Sequence, residues 1–390
     1  MGFYRFFFSQ FIIQKIVKVQ RVRIPESDGV TWLVLGDDYL PVEPIRKFLT
    51  YLRNLERSPN TIRSYAYHLK LYWEYLESVK VNWKEINISQ LADFVMWLRN
   101  PLGNVISLNE REAKRTESTV NAILTSVCMM YDFQEQTGNV SEIPLYRSQF
   151  IPGKKYKSFL HHITKGKPTR TRLLKLKQPK LQPKTLTAEQ IAAVIASCNN
   201  IRDKFLLCLL YESGIRIGQA LGLRHEDIKS WDNTITIVPR NDNANGARAK
   251  AISPYAVPIT QDLMALYVQY LEEEFMELLG DNLSDYVFVN LWDGKLGSPM
   301  TYSNVMSLFT RLKRKTGIAI PVTPHKLRHT HATELIREGI EMAYVQKRLG
   351  HASIQTTIDT YIHVSNEDMK REYNKYIDKR DESASTNTPK

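Results

Sequence analysis

Between Glu142 and Glu189 the chain has no acidic residue. Lys154, Lys155, Lys157, Lys165, Lys167, Arg170, Arg172, Lys175, Lys177, Lys180 and Lys184 accumulate there among Pro152, Pro168, Pro179 and Pro183. A run this one-sided repels itself and builds no apolar core, and its prolines favour extended backbone. It therefore cuts the chain in two. The predicted organisation is an N-terminal extension over 1–40, a helical domain over 41–150, a basic linker over 151–185 and a second domain over 186–365. A short helix over 366–380 and a disordered polar tail over 381–390 complete it. Self-repulsion in such a linker is relieved by an anionic partner lying alongside. Double-stranded DNA fits best, with Lys154, Lys155, Lys167, Arg170, Arg172 and Lys175 as candidate phosphate contacts and an affinity that falls steeply with salt. The whole chain agrees, with a formal charge of +12 and a pI near 9.4.

The first domain reads as four amphipathic helices. Val42 to Leu55 places Ile45, Phe48, Leu49 and Leu52 on one stripe. Ser58 and Pro59 open a long helix with Ile62, Tyr65, Leu69, Trp73 and Leu76. Helices over Ser89 to Arg99 and Thr119 to Gln136 follow. Arg57 and Arg63 stand on polar faces suited to phosphate. Ahead of these helices, Val17 to Ile24 alternates apolar and basic residues as a strand does. The aromatic leader from Phe3 to Ile13, interrupted by Arg5 and Gln10, is too short for a membrane span and lacks a cleavage site, so no membrane partner is expected. Its poor fit with that strand raises the expectation that translation begins at Val17.

The second domain opens at Thr187 with the capping box TAEQ. A buried helix from Asp203 to Ser213 follows, closed by Gly214, and Arg216 lies at the glycine-bounded break behind it. Strands are expected at Thr234 to Val238, Tyr255 to Ile259 and Tyr286 to Val289, and helices over Leu263 to Leu279 and Thr301 to Lys315. The loop between the first two strands, rich in asparagine and carrying Arg248 and Lys250, reads as mobile. The fold class is thus mainly α with a small β-sheet. Cys128, Cys198 and Cys208 stand singly in apolar patterns, which argues against disulfides or a cysteine metal site and for a reducing compartment.

The stretch from Thr323 to His363 gathers residues suited to phosphate chemistry. Thr323 and Pro324 start a helix that ends near Gly339 and carries His325 and Arg328 on one face. A helix from Glu341 stops at Gly350, just before His351, and Ser353 caps a third carrying Tyr361. His325, His329 and His331 invite a metal-site reading. No matching carboxylate or cysteine set accompanies them and the nearby arginines repel a cation, so no metal and no cofactor is expected.

GIRIGQALGLRHEDI, a lysine in a strand-connecting loop ahead of AVPI, then HKLRHTHAT, LGH and TIDTYIH resemble, in order and spacing, the tyrosine recombinase or phage integrase family. SPNTIRSYAYHL is similar to that family's core-binding domain. That segment and the loop RNDNANGARAK resemble the transposase A branch of site-specific transposons. The resemblance runs from Pro41 to Asn374. It implies a helical, SAM-like core-binding domain and an α+β catalytic domain.

The implied chemistry is metal-free strand cleavage. Tyr361 attacks the phosphate to form a 3′-phosphotyrosine. Arg216 and Arg328, charged at any working pH, clamp the non-bridging oxygens, and His325 assists proton transfer. Through the resemblance Lys250 is the general acid for the leaving 5′-hydroxyl, and His351 donates to a non-bridging oxygen. Gln219 stands where many members carry an acidic residue. The resemblance further implies a tetramer on DNA, accessory recombinases from the same element and a bacterial cytoplasmic setting at the nucleoid. The competing readings are a type IB topoisomerase-like enzyme acting alone and a non-catalytic DNA-binding accessory protein.

Overall fold

The computed structural model describes residues 17–24, 29–100, 113–141, 145–149, 169–178, 185–249, 251, 253–280, 283–292, 294–350, 373, 374 and 377. They form two compact units, divided after residue 180.

In the first unit, β1 (Lys18–Arg23) and β2 (Val30–Leu35) pair antiparallel, with Val19 opposite Val34 and Arg21 opposite Trp32. Val17, Trp32 and Val34 are buried against the helices that follow. Those helices are α1 (Glu43–Asn54), α2 (Pro59–Val79), α3 (Ile88–Arg99) and α4 (Glu117–Gln136). Their starts follow from local chemistry. Ser58 and Thr116 accept the backbone N–H three residues on, and Asn87 and Gln90 form a reciprocal capping box. The expected stripes meet in one core, where Phe48, Leu69, Phe94 and Val127 are almost fully buried. Polar groups inside it are answered in pairs. The Tyr72 and Tyr131 hydroxyls lie 2.6 Å apart, Tyr131 donates to the Trp83 carbonyl at 2.7 Å, and Gln134 Nε2 donates to the Pro44 carbonyl at 2.8 Å.

Part of the stretch expected as a free linker belongs to this unit. β3 (Tyr146–Gln149) pairs antiparallel with β4 (Thr169–Arg172), and the chain beyond β4 runs along α4. Leu174 and Leu176 pack against the core while Lys175 and Lys177 face outward. Asn121 pins Leu176 at both of its backbone groups, each at 2.9 Å. The conformation is extended, as the prolines and charges suggest. The alternation of leucine and lysine gives it a face to bury, and that holds it to the helices.

In the second unit α5 (Ala188–Ala196) starts on the Thr187–Gln190 capping box, and α6 (Ile201–Ser213) runs through the core with Phe205, Leu206, Leu209 and Leu210 fully buried. After α6 come a short helix α7 (Ile217–Ala220) and an antiparallel sheet of β5 (Ile228–Lys229), β6 (Thr234–Ile237) and β7 (Tyr255–Pro258), with β6 in the centre. α8 (Gln261–Tyr270) continues through a π turn, Leu271–Met276. From that turn Glu274 reaches the start of α6, accepting from the Ile201 and Arg202 N–H groups at 2.7 and 2.8 Å. A carboxylate is favourable at that positive helix end.

The strand expected from Tyr286 to Val289 does not join the sheet. Tyr286 bridges Arg224 and Val289 bridges Pro299, two isolated contacts with irregular chain that offers no continuous ladder. The last described helices are α9 (Tyr302–Thr316), α10 (Pro324–Arg337) and α11 (Met342–Leu349). No helix among the described residues is long and apolar enough to cross a membrane.

Candidate active site

The C-terminal end of α6 is where the site begins. Gly214 closes that helix at φ 65°, and a Cβ there would lie 2.5 Å from His331 Cδ2 and 2.9 Å from Leu349 Cδ2. Only a glycine lets α10 and α11 come this close to the end of α6. Two residues on, Arg216 is extended and half-buried, its N–H donating to Gln219 Oε1 at 2.7 Å. Its guanidinium reaches the end of α11, donating from Nη1 to the Gly350 carbonyl at 3.3 Å and the Leu349 carbonyl at 3.5 Å.

Arg328 comes to the same place from the opposite side. It sits in the second turn of α10, which starts where expected because Thr323 accepts from the Lys326 N–H and Pro324 takes the first helical position. Its side chain is buried, donating from Nη1 to the Gly214 carbonyl at 2.7 Å and from Nη2 to the Leu349 carbonyl at 2.9 Å. A buried guanidinium is tolerable here because the carbonyl ends of α6 and α11 each present partial negative charge. Neither carbonyl cancels its charge.

His325, one turn earlier on α10, has an exposed ring. Its pKa is nevertheless pushed below the usual imidazole range, chiefly by desolvation and then by the charges of Arg328, Lys326 and Arg216. A neutral imidazole beside two guanidiniums can accept a proton or donate one hydrogen bond, as a proton-transfer role requires.

The loop between β6 and β7, expected to be mobile, is tied down over its described part. Asn243 donates to the Ala247 carbonyl at 2.9 Å, and Asn245 donates to the Leu221 and Met300 carbonyls at 2.9 and 2.8 Å. A Cβ on Gly218 would stand 2.6 Å from the Arg248 carbonyl oxygen, so the loop lies directly on α7. Asparagine here serves to hold the turn rather than to solvate it. Lys250 follows two residues later and lies outside the described residues, as do His351 and Tyr361. Gly350, at φ 61°, ends α11 immediately before residue 351.

Residues that sequence reasoning did not single out also converge here. Tyr255, the first residue of β7, accepts from Gln219 Nε2 at 2.9 Å. Arg348 donates to His331 Nε2 at 3.1 Å, to the Glu212 carbonyl at 2.8 Å and to the Pro258 carbonyl at 3.1 Å, locking α11 onto α6 and β7. Asp227 pairs with Arg240 at 2.6 Å.

Of the expected DNA contacts, Arg57 and Arg63 are exposed on the first unit, Arg63 lying 5.9 Å from the Tyr67 ring centroid. Lys175 is exposed, whereas Arg172 turns in to donate to Thr125 Oγ1. Arg170 lies on β4. Lys154, Lys155 and Lys167 fall outside the described residues.

The chain is also similar to known proteins. The phage integrase family model matches residues 184–368, and the model of the phage integrase N-terminal SAM-like domain matches residues 45–136. Transposase A from transposon Tn554 of Staphylococcus aureus is 44% identical over 366 residues, covering 94% of this chain and 99% of that protein. The tyrosine recombinase XerC of Chlamydia caviae is 27% identical over 329 residues, covering 82% of this chain and 93% of the relative. Among solved structures, the Tn1549 transposon integrase in complex with transposon right end DNA shares the fold at a TM-score of 0.61 and 16% identity, over 86% of this chain and 99% of that one. XerH recombinase bound to palindromic difH substrate does so at 0.56 and 19%, over 84% and 83%. Two family models and near full-length similarity to a transposase, joined to paired arginines at the turn before residue 351, make this chain a member of the phage integrase family, the site-specific tyrosine recombinases that break and rejoin DNA strands.

Proposed function

We propose that this chain integrates or excises a mobile element by binding duplex DNA and exchanging strands through a 3′-phosphotyrosine on Tyr361. The observation that carries the reading is the convergence of Arg216 and Arg328 on the Leu349–Gly350 turn, where each donates to helix-end carbonyls. Two planar donor forks there would hold the non-bridging oxygens of one phosphate as negative charge builds on them. Tyr361 attacks phosphorus, and the 5′-oxygen leaves with a proton from Lys250. His351 donates to a non-bridging oxygen and His325 relays a proton. The phosphodiester energy is kept in the covalent bond, so rejoining needs no external energy source.

The domain scheme supports the binding mode. A core-binding domain over 41–150, a basic segment over 151–185 and a catalytic domain over 186–365 would each contact the duplex, with Arg57, Arg63, Lys154, Lys155, Lys167, Arg170, Arg172 and Lys175 on the backbone. Exchange between two duplexes requires four active sites, hence a tetramer on DNA, to which the helix over 366–380 would couple neighbours ahead of the tail over 381–390. Accessory recombinases from the same element, and a setting at the nucleoid of a bacterial cytoplasm, complete the reading.

The test is a nicked suicide substrate carrying the ends of the element that encodes the chain. The protein should form a covalent adduct that maps to Tyr361, persists in chelator and is absent in Tyr361→Phe. An adduct retained in that variant would refute the nucleophile, and loss of the adduct in chelator would refute the metal-free mechanism. Strand transfer between two marked duplexes separates a recombinase from a topoisomerase-like enzyme.

A further inference from the structure

A primary amide has one end that accepts and one that donates, and Gln219 uses both. Its Oε1 must face the Arg216 N–H, which can only donate, so Nε2 is the atom 2.9 Å from the Tyr255 hydroxyl. Gln219 is buried, so this orientation is fixed by the two partners and not by solvent. It follows that the Tyr255 oxygen accepts, and its own proton is left to point elsewhere. Among the described residues no acceptor for that proton is present.

The place of the hydroxyl oxygen is defined. An ideal Cβ on Gly350 would lie 2.6 Å from the Tyr255 hydroxyl oxygen and 2.7 Å from its ring carbon Cζ, so the phenol tip rests on the glycine that ends α11. The Gly350 carbonyl is the one Arg216 reaches, and the preceding Leu349 carbonyl is the one Arg328 reaches. The phenol, two guanidiniums and the turn before residue 351 therefore share one small volume.

We infer that Tyr255 is a further catalytic residue, donating its phenolic proton to a non-bridging oxygen of the scissile phosphate beside the two arginines. The inference rests on the phosphate lying between Arg216 and Arg328, as proposed above. Burial raises the Tyr255 pKa while Gln219 and the two arginines pull it down, with burial prevailing. The phenol therefore stays protonated at neutral pH, as a donor must, and does not compete as a nucleophile. Glutamine at 219 is what frees the proton, because a carboxylate there would accept from both the Arg216 N–H and the phenol.

The test is single-turnover cleavage at saturating enzyme, using the natural diester and each of the two methylphosphonate diastereomers at the mapped scissile position. Tyr255→Phe keeps the ring against Gly350 and should slow the diester by about 10²-fold, the usual effect of losing one oxyanion donor. On the diastereomer that lacks the contacted oxygen, wild type and Tyr255→Phe should cleave at equal rates. Gln219→Glu should slow the diester by a similar factor, since it recaptures the proton. An unchanged diester rate in either variant, or equal slowing on both diastereomers, would overturn the inference. Tyr361→Phe run in parallel keeps the two ideas apart. An adduct that persists in it refutes the nucleophile reading, whereas its absence together with a Tyr255→Phe of normal rate refutes only the role of Tyr255.

Discussion

The two ends of α6 each gather a pair of arginines and treat them in opposite ways. At the N-terminal end Asp203 is fully buried, accepting from Arg202 Nε and Nη2 at 3.0 and 2.7 Å and from Arg311 Nη2 at 3.1 Å, while Arg202 also lies 4.7 Å from the Trp292 ring centroid. At the C-terminal end Arg216 and Arg328 donate to carbonyls of Gly214, Leu349 and Gly350. A carboxylate cancels a guanidinium charge and makes it part of the scaffold. A helix-end carbonyl holds the group in place and leaves its charge for something else. Carbonyls thus hold two arginines at one end of α6, and a buried carboxylate ties the other end into the core.

The largest expected effect breaks the comparison at its functional end. Arg216→Ala or Arg328→Ala should lower single-turnover cleavage by about 10³–10⁴-fold, since each removes a charge aimed at the transition state. Arg311→Ala, at the other end, should leave cleavage at saturating enzyme within about 3-fold, because its pair with Asp203 is half-exposed. Comparable losses in all three variants would mean that both ends serve the chemistry and that the contrast between them is false.

The scaffold end is tested next, by stability. Removing the Asp203 carboxylate leaves Arg202 beside it without its fork partner, so Asp203→Ala should lower unfolding free energy by about 3–5 kcal/mol in a denaturant titration. The adduct-forming chemistry of the molecules that remain folded should persist. A stability change under about 1 kcal/mol would mean that Asp203 does not anchor the helix.

How much of this could be read from the chain follows the same line between local and distant. The starts at Ser58, Thr187 and Thr323 and the stops at Gly214 and Gly350 were legible because a cap is decided within four residues. Arg216 and Arg328 were legible from their spacing within motifs. Tyr255 was not, because its meaning lies in contacts with Gln219 and Gly350, which are distant from it in sequence. The Asn-rich loop looked mobile by composition, whereas Asn243 donates to the Ala247 carbonyl within the loop and Asn245 to the Leu221 and Met300 carbonyls outside it. In the basic stretch the lysines masked the alternation that lets Leu174 and Leu176 pack on the helical core.

The turn where the two arginines meet offers a finer test. Gly350 and Gly317 both end helices at positive φ, 61° and 66°, but a Cβ on Gly350 would press on Tyr255 whereas one on Gly317 would meet open space. Alanine at either position carries the strain of left-handed backbone, about 1–2 kcal/mol, and at Gly350 the contact should bring the total to about 2–3 kcal/mol. Only Gly350→Ala should also slow cleavage, by moving the turn that leads to residue 351. Equal losses at the two glycines would show that the Tyr255 contact carries no weight.

The smallest effect separates the two ends by pH. His331 is buried against Arg348, whose Nε donates to its Nε2, and burial followed by the charges of Arg348 and Arg328 brings its pKa down to about 3 from an ordinary value of 6.5. Between those values the unfolded chain binds a proton that the folded one refuses. The stability from keeping His331 neutral is therefore complete above about pH 6.5 and is lost progressively as pH falls toward 3. Going from pH 7 to pH 5 should remove about 2 kcal/mol through this residue, at about 1.4 kcal/mol per unit below 6.5. Urea midpoints of the wild type and His331→Gln at both pH values isolate that share, because the other titrating groups are common to the two proteins. Protonated His331 would set a third cation against Arg348 and Arg328, loosening α11 from the C-terminal end of α6. A wild type whose acid loss equals that of His331→Gln would place the pH sensitivity elsewhere and remove His331 from the forces that hold the active-site turn.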